Sequence, residues 1–326
     1  MTILHAQPSN PVPGHKPPRT VQMARQTMTD PQAARLYTWR LAHEHYENFT
    51  VIWRLAPREM RQDFCNIYAF CRTADDLGDE VGDRALALEY LADFRRQIVD
   101  CYQGKARTAV CTALCETIRR HDIPRAPFLD LIDAFEQDQR VGRYETLDQV
   151  LAYCRRSADP VGRLVLYVTG YRDSQRQMLS DKTCSALQLA NFWQDVRGDI
   201  LQRDRVYLPL DSMRRFGVSV EQLRAGRCDE NYRRLLRFEV ERAAAMFEEG
   251  RKLLPLIRPS LRIPIRLFGD GGMAVLAAIR RRNYDTLTSR PTLGRLRKLN
   301  LMVRAVVSLA VPMADGIGSL FKGRPP

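Results

Sequence analysis

The chain has 326 residues, 45% of them hydrophobic and 27% charged, a composition typical of one large globular domain or two small ones. A net charge of +13 favours anionic partners such as nucleic acid, lipid headgroups or diphosphate esters, but the arginines are spread along the chain without a nucleic-acid-binding motif, which makes nucleic acid the weaker interpretation. Eight cysteines without a C-x-x-C pair, and no apolar leader, argue against a disulfide scaffold and secretion, so a cytoplasmic location is expected.

Apolar periodicity predicts helices along most of the chain. Residues 1 to about 29 contain five prolines before Arg19 and no apolar period, which predicts a disordered lead-in. A first helix is predicted from the N-cap Asp30 and Pro31 to about Tyr46. Further helices are predicted near 57–80, 83–102, 108–121 and 125–140. Another begins at 147, a separate one passes through 188–200, and two long ones follow at 229–256 and 262–287. Alternating strand patterns are almost absent, so we expect an all-α fold with a single domain over about residues 30–290.

The predicted helix at 57–80 carries an ionic stripe. Tyr68, Arg72, Asp75 and Asp79 follow one another at i, i+4, i+7 and i+11, so they share one helical face. Phe64 lies on the same face one turn earlier. A stripe that begins apolar and ends ionic is expected to point inward.

A second acidic series lies between Gln188 and Pro209. Asn191, Asp195 and Asp199 recur every four residues, and at about 100° per residue they also share a face. One interpretation is the solvated face of a surface helix. The other is a buried face neutralised by a hard divalent cation. Two such helices together favour the second, because Mg²⁺ takes only one or two carboxylates per ion and leaves positions for substrate phosphate oxygens.

These motifs resemble a known family. DDLGD at 75–79, Q-x-x-N-F-x-x-D-V-x-x-D at 188–199 and R-V-Y-L-P at 205–209 are similar to segments of the squalene/phytoene synthase family of head-to-head prenyl transferases. The segment from Tyr153 to Gly162 is similar to the family's Y-C-x-x-x-A-x-x-V-G. The resemblance runs from about His45 to about Pro291. It implies an isoprenoid synthase fold, in which antiparallel helices surround a central apolar cavity with two acidic motifs at its rim.

The resemblance also implies roles for individual residues. A cluster of two or three Mg²⁺ ions would be held by Asp75, Asp79, Asn191, Asp195 and Asp199. The prenyl diphosphate would contact Asn48, Phe49, Arg72, Arg205 and Tyr207. Tyr68, Phe49 and Tyr153 would line the carbocation, and Gln188 would orient a ligand or water. Glu47 departs from the lysine that many relatives have beside the diphosphate.

Within the family, the segment S-A-x-P-V-G-x-L-V-L at 157–166 and the pair Gly271 and Gly272 resemble the bacterial hydroxysqualene synthase branch. This implies that presqualene diphosphate, handed over by a presqualene diphosphate synthase, is converted with water to hydroxysqualene on the route to squalene and hopanoids. No dinucleotide-binding fingerprint is present, so no NADPH site is expected. Alternatives within the family are presqualene diphosphate synthase, squalene synthase and phytoene synthase. A non-catalytic assembly factor is the alternative of another class, although such relatives lose the acidic motifs.

The C-terminal residues 291–326 mix basic and apolar side chains. Arg295, Arg297, Lys298 and Arg304 precede an uncharged run from Ala305 to Ala314, which is too short to span a bilayer. Two interpretations stay open. The segment is either a basic amphipathic helix on the anionic inner face of a membrane or a last core helix with a frayed tail.

Overall fold

The structure is a computed structural model, and it describes residues 19–44 and 57–292. The predictions for Asn48, Phe49 and the C-terminal segment therefore lie outside the described residues, as does residue range 1–18. The α-helices of the described residues are α1 (Arg19–Met23), α2 (Pro31–Glu44), α3 (Arg61–Asp79), α4 (Arg84–Tyr102), α5 (Ala109–His121), α6 (Ala126–Asp138), α7 (Leu147–Ser157), α8 (Asp159–Val168), α9 (Ser174–Arg203), α10 (Leu210–Phe216), α11 (Val220–Arg224), α12 (Glu230–Gly250) and α13 (Pro259–Arg281). Short 3₁₀ segments occupy Arg58–Met60 and Arg251–Leu256.

The all-α prediction is confirmed, since the described ranges contain helices and no strand. Asp30 caps α2 as expected, because its carboxylate accepts the backbone N–H groups of Gln32 and Ala33 at 3.1 and 3.3 Å. The last long helix was predicted at 262–287, but α13 starts earlier, at Pro259, and also ends earlier, at Arg281. The short helices α10 and α11 were not predicted, since two turns or fewer give no period to read.

The prediction of a disordered lead-in is wrong for residues 19–29. Within this range α1 buries Val21 and Met23, and the Met28 N–H donates to the Arg107 carbonyl at 2.6 Å. The five prolines that suggested disorder all precede Arg19. Composition averaged over the whole lead-in concealed the short apolar pattern that packs α1 against α3.

Helix α9 runs through the core and packs against α8, α12 and α13. Close approach is permitted by two glycines. A methyl group at Gly162 of α8 would overlap the side chains of Ser180 and Cys184, and one at Gly272 of α13 would overlap the Phe247 ring. The acidic series near the end of α9 is consequently held on a helix that is packed along most of its length.

Helix α3 is the second packed helix, and it contacts α2, α4, α5 and α6. Residues 63–78 of it are all buried. Apolar members such as Phe64, Ile67 and Phe70 are 0% exposed, and each such side chain contributes about 1.5–3 kcal/mol through burial. Both acidic motifs therefore sit on rigid elements rather than on loops.

All eight cysteines are free thiols, and seven of them are buried. They fill small apolar volumes in the helix interfaces, which agrees with the expectation that the fold is not a disulfide scaffold. In the part of the chain that the structure describes, no helix combines the length and apolar character needed to cross a membrane.

Candidate active site

The first acidic motif is buried in the last turns of α3. Asp75 is 4% exposed and Asp76 is 1% exposed. The Arg72 guanidinium, which the sequence analysis assigned to the leaving diphosphate, contacts the Asp76 carboxylate at 2.5 Å. The hydroxyl of Thr20 in α1 donates to the other oxygen of Asp76. Asp76 thus links Arg72, a predicted site residue on α3, to helix α1.

Asp79 ends the motif between two arginines, Arg203 in the last turn of α9 and Arg205 in the loop after it. Its carboxylate lies 2.9 Å from the Arg203 guanidinium and 3.5 Å from that of Arg205. Arg205 also donates to the backbone carbonyl of Asp138 at 3.1 Å and lies 3.6 Å from its carboxylate. Burial alone lowers the pKa of Arg205, but the carboxylates of Asp138 and Asp79 outweigh it and raise that pKa above its usual range. Arg205 is therefore a fixed buried cation that links α3, α6 and the loop after α9.

Tyr153 lies beside this network. Its hydroxyl donates to the Asp138 carboxylate at 2.8 Å, and the residue is 2% exposed. Burial, followed by the charge of Asp138, raises the pKa of Tyr153 well above 10. The phenol is therefore a neutral hydrogen-bond donor, and its donor is directed at a carboxylate of the protein.

An aromatic cluster surrounds Tyr153. The rings of Phe192 and Tyr207 stack with centroids 3.6 Å apart and planes 6° from parallel. Tyr153 lies 6.1 Å from Phe192 and 5.7 Å from both Tyr207 and Tyr144. The Tyr207 hydroxyl is buried and has no hydrogen-bond partner among the described residues. Stacked electron-rich rings of this kind attract cations. Tyr68, which was also predicted to line the carbocation, lies on α3 and is buried, with 5% of its surface exposed.

The second acidic motif starts deep in the core. Gln188 and Asn191 are 2% and 3% exposed. The Gln188 side-chain oxygen, and both side-chain atoms of Asn191, have no hydrogen-bond partner within the described ranges. Leaving one such buried polar atom unsatisfied costs about 1–3 kcal/mol. Gln188 and Asn191 lie on adjacent turns of α9, and a bound group that hydrogen-bonds to both amides would remove this cost.

Further along α9 the motif becomes accessible. The Asp195 side chain is 24% exposed and forms a bidentate pair with Arg290, in which one N–O distance is 2.6 Å. The side-chain amide of Gln194 donates to the Pro291 carbonyl. Asp199, one turn later, is partly buried. The segment that follows α13 therefore covers this end of α9 and supplies a cation to Asp195.

The predicted oxygen ligands do not form a metal cage by themselves. Across ranges 19–44 and 57–292, no group of three or more His, Cys, Asp or Glu side chains converges to hold an ion. Asp79 and Asp195 instead each contact an arginine. The donor set nevertheless fits Mg²⁺, because it consists of carboxylate and amide oxygens and includes the unpartnered Asn191 oxygen.

Several residues of the site were not predicted as functional: Asp76, Asp138, Tyr144, Phe192, Arg203 and Arg290. Asp76 and Phe192 stand inside the recognised motifs, so the motif itself was a sufficient signal. Asp138 ends an unremarkable helix, and Arg290 is separated from Asp195 by 95 residues. No local pattern connects those two residues to the site.

The sequence is similar to those of several known proteins. The family model for squalene/phytoene synthase matches residues 42–297. A phytoene synthase of Thermus thermophilus is 32% identical over 274 residues, which cover 84% of this chain and 92% of the relative. A hydroxysqualene synthase of Sinorhizobium fredii is also 32% identical, over 283 residues, 85% of this chain and 93% of the relative.

Solved structures agree with this result. Squalene synthase HpnC from Alicyclobacillus acidocaldarius is 40% identical, with a TM-score of 0.75 and coverage of 82% of this chain and 99% of that one. A dehydrosqualene synthase in complex with ligand is 26% identical, with a TM-score of 0.78 and coverage of 86% and 98%. The chain belongs to the squalene/phytoene synthase family and has its all-α isoprenoid synthase fold.

Proposed function

We propose that this protein converts presqualene diphosphate and water into hydroxysqualene and diphosphate. The observation that carries the proposal is the 32% identity to the hydroxysqualene synthase of Sinorhizobium fredii, which extends over 93% of that relative. The 40% identity to squalene synthase HpnC, over 99% of that chain, supports a C30 product and keeps squalene synthesis as a candidate. The equal identity to a phytoene synthase keeps head-to-head condensation as the second candidate.

The reaction needs a site that accepts a diphosphate. Asp75, Asp79, Asn191, Asp195 and Asp199 would hold Mg²⁺ together with the diphosphate oxygens. When bound, Mg²⁺ supplies Lewis-acid stabilisation of the negative charge that develops on the leaving group. The unpartnered amide of Asn191 supports this assignment, because a bound group would satisfy it.

The arginines would share in neutralising the leaving group. Breaking the C–O bond of presqualene diphosphate gives a carbocation and a free diphosphate, whose added charge needs nearby cations. Arg203 and Arg205 already lie together at Asp79, and Arg72 lies about two turns before Asp79 on α3. Fixed cations in a water-poor site stabilise charge better than solvent does, commonly by several kcal/mol.

The aromatic cluster would line the carbocation. The stacked pair Phe192 and Tyr207 offers electron-rich faces, and the neutral phenol of Tyr153 cannot trap a cation as a phenolate would. Gln188, with a buried unpartnered oxygen, would orient the water that adds to the rearranged cation. That water loses a proton to complete hydroxysqualene, so the balanced reaction requires no reductant.

The test is a product assay on the purified full chain with Mg²⁺ and without NADPH. Presqualene diphosphate, farnesyl diphosphate and geranylgeranyl diphosphate are offered separately. We expect hydroxysqualene from presqualene diphosphate alone. Condensation of farnesyl or geranylgeranyl diphosphate would instead establish the second candidate, and absence of reaction with all three would favour a non-catalytic assembly factor.

A matched pair of variants tests whether the hydroxysqualene is made by this protein rather than by a contaminating enzyme. Asp195→Asn alters the proposed metal site, whereas Asp148→Asn removes an exposed carboxylate at the start of α7. Hydroxysqualene formation should be lost in the first variant and retained in the second.

A further inference from the structure

A cavity of about 450 Å³ lies between α1, α2 and α3, and it borders the first acidic motif at Arg72 and Asp76. Its walls come mainly from residues 19–41, which precede the stretch matched by the family model, residues 42–297. Neither Asp75 nor any member of the α9 motif lines it. The cavity is therefore built largely by the part of the chain that lies outside the family match.

The polar part of the cavity wall carries excess positive charge. Arg19, Arg40 and Arg72 line it, against the carboxylates of Glu44 and Asp76. Asp76 is already engaged by Arg72 and by the Thr20 hydroxyl. Arg19 and Arg40 are exposed, and neither forms a hydrogen bond or ion pair with another described residue. Two guanidiniums that face one cavity, with no partner among the described residues, are suited to a bound anion.

Tyr37 supplies an independent observation. It lines the same cavity, and its buried hydroxyl has no hydrogen-bond partner among the described residues. Burial raises the pKa of this phenol to about 12, so it is a neutral donor at physiological pH. A buried donor without an acceptor costs about 1–3 kcal/mol, which an anionic oxygen in the cavity would remove.

We propose that this cavity binds a phosphoryl anion through Arg19, Arg40 and the Tyr37 hydroxyl. Planar guanidiniums match phosphate oxygens in a bidentate manner, which favours a phosphoryl group over a simple halide. Two sources share this chemistry: free inorganic diphosphate and the head group of a prenyl diphosphate. Met23, Met28 and Leu36 also line the cavity and would contact the first carbons of a prenyl chain.

The cavity is connected to the first acidic motif through one residue. Arg72 lines the cavity while its guanidinium contacts Asp76, the neighbour of Asp75. An anion in the cavity competes with Asp76 for Arg72. Its presence therefore alters the charge balance at the motif without occupying the proposed metal site.

The experiment is calorimetric titration of the full chain with inorganic diphosphate, and separately with farnesyl thiodiphosphate, in EDTA at fixed ionic strength. EDTA removes divalent metal, so the proposed metal site does not recruit the anion. The variants are Arg19→Gln with Arg40→Gln together, and Tyr37→Phe alone. Arg84→Gln is the matched control, because Arg84 is exposed at the start of α4 and outside the cavity.

We expect the wild type to bind at least one of the two probes. The double variant should bind at least about tenfold more weakly, since a hydrogen bond to a charged group is worth about a factor of ten or more. Tyr37→Phe should weaken binding about two- to tenfold, and Arg84→Gln should leave it unchanged. Binding of inorganic diphosphate assigns the cavity to the free ion, and binding of the thiodiphosphate alone assigns it to a prenyl head group.

Three results would overturn the proposal. They are no binding of either probe by the wild type, equal weakening by Arg84→Gln and the double variant, and loss of binding in Asp195→Asn. The last result would place the anion at the acidic motifs instead. Because the proposed catalytic activity is not measured, failure here is distinguishable from failure of the proposed function, and thermal unfolding curves verify that each variant is folded.

Discussion

Both acidic motifs contain two aspartates four residues apart, Asp75 and Asp79 in α3 and Asp195 and Asp199 in α9, but their surroundings differ. In α3, the carboxylates of Asp76 and Asp79 are buried and already contact guanidiniums from α3 itself, from the last turn of α9 and from the loop after α9. In α9, exposure increases along the motif, from the buried Asn191 to Asp195, which is 24% exposed. At the buried start of the α9 motif, the Asn191 amide has no hydrogen-bond partner among the described residues, whereas Asp195 one turn later forms an ion pair near the surface.

Because of this difference, we expect the two motifs to contribute unequally to folding stability. A buried carboxylate whose guanidinium partner is also buried cannot be removed without leaving an uncompensated charge. An exposed pair contributes only about 0–1 kcal/mol. The α3 motif should therefore be needed both for folding and for the reaction, and the α9 motif mainly for the reaction.

The largest expected effect is on turnover, and it should be common to both motifs. Asp79→Asn and Asp195→Asn should each lower kcat by about 10²- to 10³-fold or more, because each removes a proposed ligand of the metal that stabilises the leaving diphosphate. Asp148→Asn is the control with full activity. Retention of activity by either motif variant would remove that motif from the site.

The next effect is on stability and should separate the motifs. Asp76→Ala in the α3 motif takes away the buried carboxylate that Arg72 and Thr20 share, and we expect a fall of about 3–5 kcal/mol in the free energy of unfolding. Asp195→Asn should change the same quantity by less than about 1 kcal/mol. Urea denaturation measures both, and equal losses would contradict the distinction between a structural and an open motif.

Another buried carboxylate, Asp159 in α8, lies outside both motifs and sharpens the comparison. Its hydrogen-bond partner is the Ser185 hydroxyl at 2.7 Å rather than a guanidinium, and burial, followed by the charge of Asp181, raises its pKa from 3.8 to about 8. The folded state therefore retains a proton that the unfolded state loses. Stability is full below about pH 4 and should fall as pH rises toward 8, by up to about 1.4 kcal/mol per pH unit.

Asp159→Asn should flatten this dependence. The amide keeps an oxygen for Ser185 but cannot ionise, so the variant should gain on the wild type as pH rises from 5 to 8. Unfolding free energies at each pH test this, with Asp148→Asn as the control that keeps the wild-type slope. Parallel curves for Asp159→Asn and the wild type would exclude Asp159 as the titrating group.

The smallest effect concerns the Arg290 pair. Arg290→Gln removes the cation that occupies Asp195, and we expect metal affinity to rise about two- to fivefold, the range expected from a pair worth under 1 kcal/mol. Mn²⁺ binding followed by electron paramagnetic resonance measures it without turnover. Arg84→Gln provides the comparison for loss of one charge at a distance, and weaker Mn²⁺ binding in Arg290→Gln would contradict the competition.

Periodicity was sufficient for most of the long helices and for the shared faces of α3 and α9, because both follow from positions three and four apart on one helix. It could not show that Arg290 reaches Asp195 or that Asp138 joins Arg205 and Tyr153. Those contacts depend on how distant helices pack, which spacing along the chain does not encode. The same limit explains the error at α1, where composition suggested disorder but Thr20 hydrogen-bonds to Asp76.

The central claim is that the two motifs act on one diphosphate. A double-variant cycle on kcat with Asp79→Asn, Asp195→Asn and their combination tests it most directly. If both motifs serve one site, the combined variant should be about as slow as the slower single variant, since residues that act as a unit are strongly non-additive. Losses that multiply would mean that the motifs act independently, and the account of a single shared site would be wrong.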